Sequence, residues 1–215
     1  MTLVAFDFDE TLARTDLTVL LGREYDVANE MQGLADQSRR GEVDFERSLR
    51  QRVSLLEGMP VERVETAFER CKLRDGADDL ISDLRRSDVC VAIITGSFES
   101  GVEMALERGG IAVDHVIANR LVSDNRALTG DVEGPLVDGG KDRALTELAA
   151  TTEVELGRTI AIGNGATDLP MLRVAGTAIG FRPEPVVEQY CDVVVTSIHE
   201  LRLYFQQHGL LETDT

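Results

Sequence analysis

Short apolar runs rich in β-branched residues recur along the chain at Leu3–Phe6, Val89–Ile94, His115–Ala118, Thr159–Ile162, Thr177–Ile179 and Val193–Val195. Each reads as a short buried strand. Between most of them the apolar positions take up helical spacing, over Gly76–Arg86, Glu99–Arg108, Lys141–Ala150, Leu169–Ala175, Pro185–Tyr190 and Ile198–Gln207. Strands that alternate with helices predict an α/β fold, a parallel sheet with helices on both faces. The run Arg120–Gly130 departs from this rhythm. It reads as an antiparallel hairpin turning at Asp124–Asn125 and belongs at a sheet edge.

Residues 16–72 break the alternation. They hold no convincing strand and three helical stretches, Leu17–Ala35, Asp44–Leu56 and Pro60–Cys71. The pattern predicts a Rossmann-like core made of residues 1–15 and 73–215, with a small helical cap domain, residues 16–72, inserted after the first strand. A cap entering there would lie over the carboxyl end of the sheet, where open α/β folds bind ligands.

A chain of 215 residues with 43% hydrophobic content supports one substantial core, alone or with a small insertion. No apolar run approaches a membrane span, and the N-terminus enters a strand without the regions of a signal peptide. The expectation is a soluble, cytoplasmic protein, monomeric or homodimeric. Cys71, Cys90 and Cys191 have no CxxC spacing and lie in or beside apolar segments, which reads as buried reduced thiols. The charge is −17, from 39 acidic and 22 basic residues. That excludes nucleic acid as a partner and accords with a high-salt, halophilic cytoplasm in which surface carboxylates are screened. The basic set is 20 arginines and only two lysines, Lys72 and Lys141, so Lys141 stands out where it follows Gly139–Gly140.

Four polar elements fall in order at strand ends or helix starts: Asp7-Phe8-Asp9-Glu10-Thr11, Thr95-Gly96-Ser97, Lys141, and Gly163-Asn164-Gly165-Ala166-Thr167-Asp168. Alternation along an extended backbone points Asp7 and Asp9 to one side and Phe8 to the other. An ionised aspartate is a competent nucleophile, yet a phosphate ester is itself negative, so attack needs cations, here Lys141 and a bound Mg²⁺. The Thr95 hydroxyl and the backbone N–H groups of Gly96 and Ser97 would hold phosphoryl oxygens, and Asp9 would move protons. Each element alone also has a plain reading. Asp7 and Asp9 could be strand-end acids, Ser97 and Asp168 helix N-caps, and Lys141 a solvated lysine.

Taken together, the ordered motifs resemble the haloacid dehalogenase superfamily of aspartate-nucleophile phosphatases across essentially the whole chain. Within the cap, Gly41–Gly58 is similar to the corresponding segment of phosphoserine phosphatases. At 100° per residue Phe45, Leu49, Arg52, Val53 and Leu56 share one helix face, which sets Arg52 in the middle of an apolar stripe. Its stem could pack while the guanidinium reaches water or a cap carboxylate; alternatively it grips a substrate carboxylate. The resemblance implies the second, with the carboxylate that of O-phosphoserine, Phe45 lining the same pocket, and serine biosynthesis as the setting. Asp16 matches a family glutamate that meets the substrate ammonium, and it equally suits the N-cap of the helix starting at Leu17. The resemblance also implies Mg²⁺ held by Asp7, Asp9 and Asp168 with the residue at 164. The family motif there reads Gly-Asp-Gly-Ala-Asn-Asp, so Asn164 and Thr167 are departures, and Asn164 removes one charge from the metal site. Another small phosphate ester, a phosphotransfer acceptor, or phosphate binding on a weakened scaffold stay open.

Overall fold

The structure is a computed structural model that describes residues 1–212. Its seven strands form one sheet in the order β4-β3-β2-β1-β5-β6-β7. They are β1 Leu3–Phe6, β2 Cys90–Phe98, β3 His115–Asp124, β4 Ala127–Glu133, β5 Thr159–Gly163, β6 Thr177–Phe181 and β7 Val193–Val195. Every neighbouring pair is parallel except β3–β4. Strand order runs outward from β1 in both directions, so the switch point lies between β1 and β5, where a ligand crevice is expected.

The strands are buried on both faces because alternate residues join different cores. Val4 and Phe6 pack with Ile81, Val102 and Phe205, on helices α5 (Ala77–Arg86), α6 (Glu99–Gly109) and α10 (Ile198–Gln207). Leu3 and Ala5 pack with Leu145, Leu148 and Met171, on α7 (Lys141–Thr151) and α8 (Leu169–Val174). A ninth helix, α9, is short (Pro185–Glu188) and adds Val187 to this second core. Each fully buried Leu, Ile or Phe contributes roughly 1.5–3 kcal/mol, which makes the sheet a rigid base for its loops.

Residues 17–68 form four helices: α1 Leu17–Glu24, α2 Ala28–Arg39, α3 Phe45–Ser54 and α4 Val61–Phe68. The single helix expected over Leu17–Ala35 is therefore two. Asp26 turns the chain at φ 62, and a Cβ on Gly22 would lie 2.7 Å from Met31 Cγ, so the glycine lets α1 and α2 pack closely. The segment leaves and rejoins the sheet side by side. Arg14 N donates to Lys72 O at 2.9 Å and Arg74 N to Leu12 O at 2.8 Å.

The hairpin is present at the edge, with two differences from expectation. β3 continues unbroken from its parallel pairing into the hairpin, and the turn centres on Asn125–Arg126, both with positive φ (48 and 70), as a tight two-residue hairpin requires. Its tip docks on the α3–α4 loop: Gly58 N donates to Leu128 O (2.8 Å), Leu128 N to Met59 O (2.9 Å) and Val61 N to Arg126 O (2.9 Å). The strand expected at Val89–Ile94 runs on to Phe98, and its register with β3 shifts between Ile94 and Phe98, so Thr95–Ser97 bulge out of the ladder.

Candidate active site

Asp7 follows β1 directly, and its N–H donates to Ile162 O of β5 at 2.8 Å. The strand has ended by Phe6, so alternation does not place Asp9. A tight turn over Phe8–Leu12 does, with Glu10 in the left-handed region at φ 58. Arg74 pins that turn by donating to Thr11 O (2.8 Å) and Glu10 O (2.5 Å). Both aspartates face one pocket while Phe8 is fully buried behind them. Asp9 Oδ1 accepts the N–H of Leu17, the first residue of α1, at 3.1 Å.

Lys141 opens α7 and is 3% exposed. Its Nζ lies 2.6 Å from Asp7 Oδ1 and 2.6 Å from Asp168 Oδ1. Asp168 is 0% exposed, and its other oxygen accepts the N–H groups of Asn164 (2.8 Å) and Gly165 (3.0 Å). A Cβ on Gly163 would come within 2.5 Å of Asp168, so only glycine admits that carboxylate beneath the loop. Asp168 thus braces Lys141 and the 163–165 loop from behind, and it does not line the pocket.

These contacts separate the two front carboxylates. Burial, and then the Asp168 charge, push Asp7 up to about 6, with Lys141 holding it from going further. Asp7 is therefore ionised at neutral pH. Burial, with Asp16 and Asp7 nearby, raises Asp9 well above the usual carboxylate range. Burial alone would lower Lys141, but Asp168 and Asp7 outweigh it and hold the ammonium charged. The site therefore sets one carboxylate against a buried cation and, beside it, a second carboxyl group that holds its proton more tightly than an ordinary aspartate.

The bulge within β2 supplies the next wall. Thr95 Oγ1 accepts the N–H of Ser97 at 3.2 Å, and Asn119 Nδ2 donates to Gly96 O at 2.9 Å. A Cβ on Gly96 would lie 2.3 Å from Phe45 Cζ, so the Phe45 ring rests on bare backbone there. From the helical segment Arg52, 5% exposed, donates through Nη1 to Asp16 Oδ2 (3.2 Å) and Thr18 Oγ1 (2.7 Å). Asp16 Oδ1 meanwhile caps α1 by accepting Thr18 N at 2.7 Å, so pocket contact and N-cap coexist in one residue. Among the described residues Arg52 Nε, Ser97 Oγ and Ser38 Oγ are buried without a partner. Unpaired buried donors and hydroxyls beside a cavity are groups a polar ligand would satisfy.

Asp7, Asp9, Asp16, Phe45, Arg52, Thr95, Gly96, Ser97, Lys141 and Asn164 all line this one cavity of ≈ 60 Å³. A residue profile of the haloacid dehalogenase-like hydrolases matches residues 4–173, which includes every one of these positions. The chain belongs to the haloacid dehalogenase-like hydrolase family.

Relatives of this family member extend over nearly its full length. It is 41% identical over 210 residues to the phosphoserine phosphatase of Halobacterium salinarum, covering 98% of this chain and 100% of that protein. It is 35% identical over 194 residues to the phosphoserine phosphatase of Methanocaldococcus jannaschii, covering 90% and 91%. Two solved structures share its fold at 33% identity. One, of a phospho-aspartyl intermediate analogue of phosphoserine phosphatase, superposes with a TM-score of 0.89, covering 94% of this chain and 98% of that one. The other, a substrate-bound phosphoserine phosphatase complex, has a TM-score of 0.90, covering 94% and 97%.

Sequence reasoning did not single out Glu10, Thr18, Ala35, Ser38, Arg39, Leu49 or Thr167 as lining residues. Thr18 carried a signal, since Asp-x-Thr at a helix start is a capping pattern. Ser38 and Arg39 carried none, because the helix expected there stops at Ala35. Cys71 and Cys90 are buried and Cys191 half-buried, all three unpaired, with burial pushing the Cys71 thiol up to about 12. No helix among the described residues is long and apolar enough to cross a membrane.

The metal question turns on which oxygens are free. Asp168 has both carboxylate oxygens engaged, and among the described residues no cluster of three or more His, Cys, Asp or Glu side chains is set to hold an ion. Asp7 and Asn164 both face the cavity, and Asn164 makes no side-chain hydrogen bond among the described residues. A carboxylate and an amide carbonyl are hard oxygen donors. They fit a cation such as Mg²⁺ that keeps waters and completes its shell with phosphate oxygens.

Proposed function

We propose that this protein is a phosphomonoesterase that hydrolyses O-phosphoserine to serine and phosphate through an aspartyl-phosphate on Asp7. The observation that carries it is the set of charges on one cavity: Asp7 clasped by Lys141 from the sheet, and Arg52 paired with Asp16 from the helical segment. That disposition suits a phosphate at one end of a ligand and an amino acid head group at the other. The phosphoserine phosphatases of similar sequence and fold support it.

In this reading residues 16–72 act as a cap on a core of residues 1–15 and 73–215. The Thr95 hydroxyl and the N–H groups of Gly96 and Ser97 bind two phosphoryl oxygens, and Lys141 neutralises a third. An Asp7 carboxylate oxygen attacks phosphorus as the bond to the serine oxygen breaks, and Asp9 delivers its proton to that oxygen. Asp9, now ionised, takes a proton from a water whose oxygen attacks the same phosphorus. Asp7 and inorganic phosphate are released, and Asp9 is protonated again. Mg²⁺ held by Asp7, Asn164 and the main chain at Asp9 would supply positive charge for the phosphoryl group. Asp168 serves by fixing Lys141 and the 163–165 loop. The Arg52 fork takes the substrate carboxylate and Asp16 the ammonium, with Phe45 excluding water.

The test is phosphate release from O-phosphoserine in concentrated potassium chloride, with and without Mg²⁺, alongside acid-quenched mass spectrometry. Wild type should gain the mass of one phosphoryl group on the peptide containing Asp7, and Asp7→Asn should neither gain it nor turn over. Wild-type turnover in Asp7→Asn overturns the mechanism.

A further inference from the structure

Arg39, the last residue of α2, is where the C-terminal end of that helix meets the loops of the sheet. Its guanidinium pairs with Glu10 in the turn after β1. Its Nε donates to Glu184, in the loop after β6, at 3.0 Å, and its Nη2 to Asp36, one helical turn back, at 2.6 Å. All four side chains are mostly buried, at 23% exposure for Arg39, 27% for Glu10, 24% for Glu184 and 31% for Asp36. Two of the three partners thus lie across the gap, and the third travels with Arg39. Glu184 in turn donates its N–H to Asn164 O at 2.8 Å, which ties the contact to the loop beneath the cavity. The Arg39 stem lies flat on that loop: a Cβ on Gly165 would be 2.7 Å from Arg39 Cγ.

Glu10 adds an independent observation. Its φ of 58 is a conformation that glycine adopts freely and that costs a residue with a Cβ. A glutamate there pays that strain, and its carboxylate meets Arg39.

The other edge of the helical segment is held differently, by the three main-chain hydrogen bonds between the α3–α4 loop and the β3–β4 hairpin. We propose that Arg39, Glu10 and Glu184 form an ionic latch. It closes the α2–α3 edge over the cavity, and substrate and product exchange by release of that edge alone while the hairpin edge stays attached. Arg39 and Glu10 are then positioning residues. The closed latch holds Ser38 and Phe45 of the same edge against the cavity, where the buried Ser38 hydroxyl has no protein partner.

The charge count gives the latch a signature. One partly buried cation touches three carboxylates, with the exposed Arg40 near enough to feel Asp36 and Glu184. Removing Arg39 leaves Glu10, Asp36 and Glu184 with an excess of negative charge that the solvent-screened Arg40 only partly offsets, while removing one carboxylate still leaves Arg39 two partners. Salt must therefore act in opposite directions. It weakens the wild-type attraction and relieves the repulsion in Arg39→Met.

The experiment is hydrogen–deuterium exchange on the full chain for wild type, Arg39→Met, Glu184→Gln and Glu10→Gly, at two potassium chloride concentrations between which the circular dichroism spectrum is unchanged. Peptides over 36–44 should exchange about tenfold faster in Arg39→Met and a few-fold faster in the two carboxylate variants, with 58–64 unaltered. Raising salt should speed exchange over 36–44 in wild type and slow it in Arg39→Met. Glu10→Gly should loosen the edge without lowering Tm, since it relieves backbone strain. Wild-type exchange in Arg39→Met, equal acceleration at both edges, or salt responses of the same sign would overturn the latch. The kinetic arm, a raised KM for O-phosphoserine in Arg39→Met, rests on the phosphatase reading, whereas the exchange arm does not. A chain that shows the exchange pattern yet hydrolyses no O-phosphoserine keeps the latch and loses the substrate. One that hydrolyses it with wild-type KM and wild-type exchange in Arg39→Met loses the latch alone.

Discussion

Arg52 and Asp16 meet directly at one wall of the cavity, with Nη1 3.2 Å from Oδ2, and each stabilises the other in a mostly buried site. Nε of the same guanidinium has no partner, so the fork keeps a free donor, and in the proposed reading it is this pair that an amino acid head group engages. Arg52→Ala should therefore lose about 2 kcal/mol or more of binding to a ligand carboxylate, roughly a 30-fold fall in kcat/KM for O-phosphoserine. Phenyl phosphate, which lacks the carboxylate, should be hydrolysed within a few-fold of the wild-type rate. An equal loss on both esters would assign Arg52 to holding the helices together and not to the substrate.

Asp9 carries a pH signature. Its folded-state pKa is raised by burial, then by Asp16 and Asp7. The folded protein therefore binds that proton more tightly than the unfolded chain does. The resulting stability is complete below the unfolded pKa, near 3.9, and is lost as pH rises through the raised folded value. Asp9→Asn removes this loss. For metal-free protein, Tm of the variant minus Tm of wild type should climb with pH across that window and then level off. A flat or falling difference in calorimetry would contradict the burial argument.

Lys141 is a single cation between two carboxylates, all three almost inaccessible to solvent. Lys141→Met should cost about 3–5 kcal/mol of folding stability, because it leaves Asp7 and Asp168 buried and uncompensated. Adding Asp168→Asn should restore part of that stability while leaving the enzyme inactive. Denaturant unfolding of the single and double variants measures the recovery.

Asn164 offers the cavity an amide where a carboxylate would add charge. Asn164→Asp should tighten Mg²⁺ binding, measured by calorimetry on the protein alone, since one further charged oxygen donor faces the ion. Chelation should abolish phosphate release in both forms, and readdition of Mg²⁺ should restore it at lower concentration in the variant. Unchanged affinity would place the ion away from residue 164.

Much of the architecture is legible in local pattern. β1, β5, β6 and β7 lie where β-branched apolar runs occur, and α5, α6, α7 and α10 where apolar spacing turns helical. The misread places are those where a non-local contact overrides local preference. α1 and α2 separate at the Asp26 turn, with Gly22 letting them fold back against each other at Met31, and Thr95–Ser97 bulge where the β2 register with β3 shifts. Glu10 looks like an ordinary acid in sequence, because nothing local reveals its left-handed backbone or its arginine.

The sequence by itself determined the alternation of strands and helices, the position of the helical insertion, and which side chains could do chemistry. Those properties follow from residue type and short-range period. Only the tertiary structure decided what each group faces. Lys141 reaches Asp7 across 134 positions and Arg39 reaches Glu184 across 145. Such meetings depend on strand order and on close packing at Gly96, Gly163 and Gly165, which no periodicity encodes. The same distant contacts make Asp168 a brace behind the cavity, pair Arg52 with Asp16, and set Asp7 and Asp9 apart in their hold on a proton.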